Sequence, residues 1–232
     1  MLEKLYPEIA QAGSLTAGIN KQLSKLGSAL RCYSDTPEIH FSPTQLTAHN
    51  KYSQVYMAAE EKLYLADYWQ DGVMLAQGAT SDLNQLTHSL IDWLSTDWGI
   101  SGLAEKYAFV SPTKIAPAFE QGKEVEYAWN RILHDPIVAE LRDFANLAMQ
   151  DSQLSQLFPF TSLLSLHFSR CTGYPYTFDL PYVVYLSSDV YEVYEADQQR
   201  LGRGTAQQAL KLLLGHIPTD LKSAVRGTAR AI

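Results

Sequence analysis

The chain has 232 residues, 46% of them hydrophobic and 19% charged, with 18 Lys and Arg against 25 Asp and Glu for a formal net charge of −7. Those proportions exclude a disordered chain, and no apolar run reaches the roughly 18 to 20 residues that cross a bilayer. The opening MLEKLYPEIAQ lacks the basic start and apolar core of a secretory leader, so a cytoplasmic location is expected. Two cysteines, Cys32 and Cys171, are too few for a disulfide scaffold and stand in no metal-type spacing.

Along the chain, Leu2, Leu5, Ile9, Leu15, Ile19, Leu23, Leu26 and Leu30 recur at helical intervals, with Pro7, Gly13 and Gly18 as expected breaks. Residues 38–42 alternate as a strand that Pro43 ends. Segments 55–59, 63–69 and 73–77 read as an antiparallel meander, turned at Glu60-Glu61 and at Asp71-Gly72, where Gly accepts positive φ. Thr80-Ser81 supplies cap oxygens for a helix with Leu83, Leu86, Leu90, Ile91 and Leu94 on one face. Residues 113–123, near Pro112, Pro117 and Gly122, have no clean period and read as a connection. Asp135-Pro136 starts a helix that presents Ile137, Leu141, Phe144 and Ala148, and Phe158-Pro159 closes the helical region.

Leu164, Leu166 and Phe168 then alternate with Ser165, His167 and Ser169, and strands follow at 182–186 and 190–195. Gly204-Thr205 opens a final helix with Ala206, Ala209, Leu213, Leu214 and Ile217, the earlier apolar stripe repeated at an offset of 123. The expected fold is α+β, with two mainly antiparallel sheets, flanking helices and two similar strand-strand-strand-helix units. Residues 1–110 and 111–232 form the two parts, separate or packed as one.

Chemistry concentrates where the strand at Leu166 runs into the loop from Arg170 to Asp179. Cys171, His167 and Asp179 supply a nucleophile, a base and an orienting carboxylate, although no known cysteine-nucleophile signature surrounds Cys171. A gentler reading has Arg170 hold a carboxylate or phosphate while Tyr174 and Tyr176 stack on a planar part of the ligand. Arg203, in the run LGRGT at a predicted helix start, is a further anion candidate, but the run matches no nucleotide-binding motif. The six histidines form no ligand cluster, so neither a metal nor a cofactor is expected. Glu60-Glu61 and Glu192 with Glu195 read as solvated charge.

Residues 198–232 carry six basic residues against Asp220 alone, a local +5 that leaves −12 for the remainder. Such an acidic body disfavours nucleic acid, whose phosphates need a continuous basic surface. The aromatic richness, with Trp69, Trp93, Trp98, Trp129 and 14 tyrosines, fits a sheet covered by helices and also a ligand cavity.

Three strings, 157–162 (LFPFTS), 166–176 (LHFSRCTGYPY) and 215–227 (GHIPTDLKSAVRG), resemble an uncharacterised bacterial family labelled natural-product biosynthesis proteins, over roughly residues 150–229. The resemblance implies a role in a specialised-metabolite pathway, as a cofactor-independent enzyme or a substrate-binding accessory protein for a small or peptidic substrate. It carries no catalytic residue over. The charge balance keeps open an acidic protein-binding module, of the immunity-protein kind, that masks a basic protein partner. Neither reading calls for a membrane or nucleic acid.

Overall fold

A computed structural model describes residues 2–34 and 42–232, so the strand expected at 38–42 lies outside the described residues except for Ser42. The chain divides into two compact units, Met1–Glu120 and Gln121–Ile232.

In the first unit, α1 (Leu2–Leu5), α2 (Pro7–Ala12) and α3 (Leu15–Lys25) break at Pro7 and Gly13, as the sequence suggests. Gly18 does not break its helix. A Cβ there would lie 2.5 Å from Ile9 Cδ1, so the missing side chain is what lets α2 and α3 approach. The antiparallel sheet follows chain order: β1 (Cys32–Tyr33), β2 (Thr44–Ala48), β3 (Lys51–Met57), β4 (Tyr64–Gln70), β5 (Val73–Thr80) and β6 (Val110–Pro112). The expected tight turn is present, with Asp71 and Gly72 both at positive φ, 51° and 79°. Val55, Ala66 and Tyr68 point inward and pack with Leu86, Leu90 and Trp93 of α4 (Leu83–Ser95).

Two expectations need correction here. Thr80 remains in β5, and the cap of α4 is Asp82, whose Oδ1 accepts the Asn84 and Gln85 amides at 2.8 and 3.1 Å. The carboxylate suits the positive helix start better than a hydroxyl one or two residues too early. Residues 113–120 also belong to the first unit rather than to a linker. After α5 (Ile100–Lys106), β6 satisfies the free edge of β5, and Ala116 and Phe119 of α6 (Ala116–Glu120) bury in the same core. Elements this short leave no measurable period in sequence.

The other end of α4 has no basic residue in its last turn, and Lys51 of β3 supplies one from across the core. Its Nζ donates to the carbonyls of Trp93, Thr96 and Trp98 at 3.2, 3.0 and 2.9 Å and lies 4.2 Å from the Trp93 ring centroid. Burial lowers the Lys51 pKa, and the nearby Asp97 opposes that shift. The contact ties the sheet to its covering helix.

The second unit repeats the order of helices, meander and helix. α7 (Glu124–His134) and α8 (Arg142–Gln150) precede β7 (Phe158–Ser162), β8 (Ser165–Ser169), β9 (Tyr182–Ser187), β10 (Val190–Tyr194) and β11 (Arg200–Gly204), and α9 (Ala206–Leu214) closes it. The sheet order is β11-β10-β9-β8-β7, all antiparallel. The fold is therefore α+β with two antiparallel sheets flanked by helices.

Asp135 does cap the turn after it, but residues Pro136–Leu141 form a 3-10 helix kinked at Val138. The kink puts Ile137 82% exposed while Leu141, Phe144 and Ala148 bury. Phe158-Pro159 opens β7 instead of closing a helix. Pro159 is tolerated because β7 is an edge strand, where a missing donor costs no ladder bond. β11, rich in Gly and Arg, carries no apolar alternation and was not expected.

Replacing Lys51 by Met keeps the apolar stem and removes the charged cap from three carbonyls. We expect a loss of about 2 kcal/mol in urea unfolding. A midpoint within error of the wild type would show that the cap contributes nothing.

Candidate functional site

The loop from Arg170 to Thr177 is held from both sides. On the inside, the buried Ser169 Oγ accepts the amides of Cys171 and Thr177 at 3.1 and 3.2 Å and donates to the Cys171 carbonyl at 2.8 Å. On the outside, the chain after α9 returns as a strap. The Val225 amide donates to the Arg170 carbonyl at 3.0 Å, Thr172 N–H to Val225 O at 3.1 Å, Gly173 N–H to Gly227 O at 2.7 Å and Ala229 N–H to Pro175 O at 2.8 Å. This is a short parallel bridge in which Cys171 pairs with Val225. Arg226 anchors the strap, with Nε 2.6 Å from Oε1 of the buried Glu124 at the start of α7. Thus the strings 166–176 and 215–227 are physical partners.

Between loop and strap lies a cleft of about 540 Å³, walled by Leu180, Leu221 and Val225 and bearing Arg170, Asp179, Asp220 and Lys222. Arg170 Nη2 and Asp179 Oδ2 are 2.5 Å apart. Burial alone would raise the Asp179 pKa; hydrogen bonds from Arg170 and Thr177 and the guanidinium charge bring it below the ordinary value. Arg170 Nε is buried and has no hydrogen-bond partner among the described residues. The cleft therefore offers charges of both signs around an apolar centre.

The proposed nucleophile, base and orienter are not brought together. Cys171 is fully buried, and its Sγ lies against Ser169 Oγ and the carbonyls of Gly173 and Pro175 at 3.4, 3.6 and 3.8 Å. Asp179 is engaged with Arg170. His167 is on β8 in a row of parallel rings that crosses four strands, 5.1 Å from Phe160 and 4.4 Å from Tyr182, which stacks on Tyr194 at 5.4 Å. Register explains the row: His167 pairs with Phe160 and Tyr182 with Tyr194.

Ser165 Oγ donates its one proton to the Ser162 carbonyl at 2.5 Å, so at 2.8 Å it accepts from His167 Nε2–H. Nδ1 is then the unprotonated nitrogen. Burial lowers the His167 pKa to about 4, which keeps the ring neutral at pH 7.

The tyrosines are also placed differently from the sequence picture. Tyr176 stacks on Phe160 and Phe158 at 4.5 and 5.3 Å, so its faces are used within the protein, and Tyr174 is 64% exposed outside the cleft. Arg203 faces Glu192 across β10 and β11. The helix start beside it is already filled: Thr205 and Gln208 form a reciprocal cap, and the Ala206 amide donates to Asp189 Oδ1 at 3.2 Å. Glu192 is bonded by Tyr194 and Arg200, Glu195 by His216, and Glu60-Glu61 is exposed. No group of three metal-type side chains occurs among the described residues. Sequence reasoning missed Ser169, Asp220, Lys222 and the Glu124–Arg226 pair, because residues 215–227 have no helical or strand period that would place them beside the loop.

Residues 123–228 match a family of unknown function (DUF6193), a description that names no pathway. That span holds the second sheet, the loop and most of the strap. No curated protein and no solved structure matches the chain.

The His167 shift has a pH signature. With a folded pKa near 4 against about 6.5 unfolded, its contribution is fully present above pH 6.5 and is lost as pH falls towards 4. Between pH 7 and 4 the wild type should lose about 2 to 3 kcal/mol more than His167→Phe, measured by denaturant unfolding. Parallel pH profiles would show that the ring is not held neutral by burial.

Proposed function

We propose that the second unit is a binding module for a small or peptidic molecule, with Arg170 taking its carboxylate or phosphate in the cleft under the strap. The observation that carries this reading is a guanidinium that lines the cleft, held by Asp179 through Nη2 and with its Nε unpartnered among the described residues. Lys222 adds a second cation, Asp179 and Asp220 suit an amine or amide on the same ligand, and Leu180, Leu221 and Val225 suit an apolar middle. Peptides and amino-acid derivatives have that combination of groups.

Binding fits these side chains better than cysteine catalysis, because the Cys171 thiol is packed against carbonyls and meets no imidazole among the described residues. A setting in a specialised-metabolite pathway, as a substrate-binding accessory protein, agrees with the resemblance of the loop and strap strings. A cofactor-independent enzyme would need a base supplied from elsewhere.

The test uses N-acetyl-L-tyrosine and its uncharged primary amide in calorimetric titrations. The acid should bind more tightly than the amide, and Arg170→Gln should weaken the acid by about ten- to a hundredfold, the worth of a charge-assisted hydrogen bond. Asp179→Asn, which frees the guanidinium, should tighten it. Equal affinity for acid and amide, or no effect of Arg170→Gln, overturns the reading. Tight binding of a basic protein that survives Arg170→Gln would favour the acidic protein-binding module instead.

A further inference from the structure

The first sheet has an outward face that the cleft of the second unit does not involve. Strand alternation sends Gln54, Asp67, Gln77 and Ser111 to that face, and register aligns them in one row: Gln54 pairs with Asp67, Asp67 with Gln77 and Gln77 with Ser111. The next row is apolar, with Tyr56 opposite Leu65 and Leu65 opposite Ala79. On the far side of the polar row, Tyr52 and Trp69 stack at 5.3 Å and 13°. A carboxylate is thus set between an apolar row and a stacked aromatic pair.

Around it is a depression of about 440 Å³ lined by Tyr56, Leu65, Asp67, Gln77, Phe109 and Ser111. Gln77 Nε2 donates to Asp67 Oδ1 at 3.0 Å, and the Tyr56 hydroxyl hydrogen-bonds the same carboxylate. These are neutral donors, which orient a charge without cancelling it. Among the described residues no Lys, Arg or His forms an ion pair with Asp67. The first unit as a whole has 8 basic and 13 acidic residues, a net −5 that draws cations towards it.

We propose that this face binds a small organic ammonium ion, with Asp67 as counter-charge and the rings of Tyr56 and Phe109 as walls. Aromatic faces attract a cation through their quadrupole, and an oriented carboxylate adds a charge-assisted hydrogen bond from the ammonium. Leu65 accommodates the alkyl stem next to the charge. An anion would meet Asp67 and finds no cation among the lining residues. The site is independent of the Arg170 cleft in residues, in ligand charge and in unit.

The ammonium belongs either to a free amine or to a lysyl side chain on a polypeptide, and two probes separate these sources. Cadaverine represents the free amine, N-acetyl-lysine methylamide represents the lysyl side chain, and pentane-1,5-diol is the uncharged control. Calorimetry on the full chain should detect at least one ammonium probe and no diol. Cadaverine alone would identify a free amine; binding of the lysine amide would identify a polypeptide lysine.

Asp67→Asn keeps the acceptor for Gln77 and should weaken binding at least about tenfold. Phe109→Leu, which keeps apolar bulk and removes the ring, should weaken it severalfold, with circular dichroism confirming that both variants fold. Arg170→Gln should leave it unchanged, so this site and the cleft fail separately. Silence from both ammonium probes up to about 10 mM, where even millimolar affinity would register, overturns the proposal. Equal binding to Asp67→Asn does the same.

Discussion

The second unit depends on one ion pair, between Glu124 at the start of α7 and Arg226 in the strap. Glu124 has a side chain only 5% exposed, and a carboxylate taken that far from water needs a partner. The early turn of α7 favours negative charge on its own account, but Arg226 is what fastens residues more than one hundred positions away. With Arg226 fixed, the amides and carbonyls of Thr172, Gly173 and Val225 meet in register, and the loop bearing Arg170 gains a second wall. The cleft exists because the strap is tied down.

Much of this architecture was legible in the sequence where periods were long and punctuation was strong. The three-stranded meander through β3, β4 and β5 followed from alternation and from Asp71-Gly72, and α9 followed from Thr205 and its apolar stripe. Failures came where tertiary contacts decide. β6 has three residues and forms because β5 has an open edge; β11 forms because β10 does; Pro159 stays in a strand because β7 is at the edge of its sheet. None of those causes lies in the segment itself.

The site divides in the same way. Arg170 and Asp179 are nine residues apart, and both line the cleft. Asp220 and Lys222 come from a segment with no helical or strand period, so their place opposite Arg170 was not readable. His167, Cys171 and Asp179 show the converse error. Residue types suited to catalysis lay close in sequence, yet a strand advances about 3.3 Å per residue, and the turn after Ser169 redirects the chain. His167 went to a ring stack, Cys171 to a pocket of carbonyls and Asp179 to a guanidinium.

The uneven charge of the chain takes on a different meaning once partners are known. The basic segment from 198 to 232 is not a free cationic tail: Arg226 meets Glu124 and Arg200 meets Glu192, both acids of the same unit. Arg203 lies opposite Glu192 and lowers its pKa along with Tyr194, which contributes most, and Arg200. Lys222 faces the cleft with Asp220 two residues before it. Two of the six basic residues of the segment thus bind back to acids of their own unit. In the first unit the partners of Asp67 among the described residues are the neutral donors Gln77 and Tyr56. The two open faces differ for that reason: stacked rings satisfy one another on the second sheet, while on the first a carboxylate stands between an apolar row and a stacked aromatic pair, with no ion-pairing cation among the described residues.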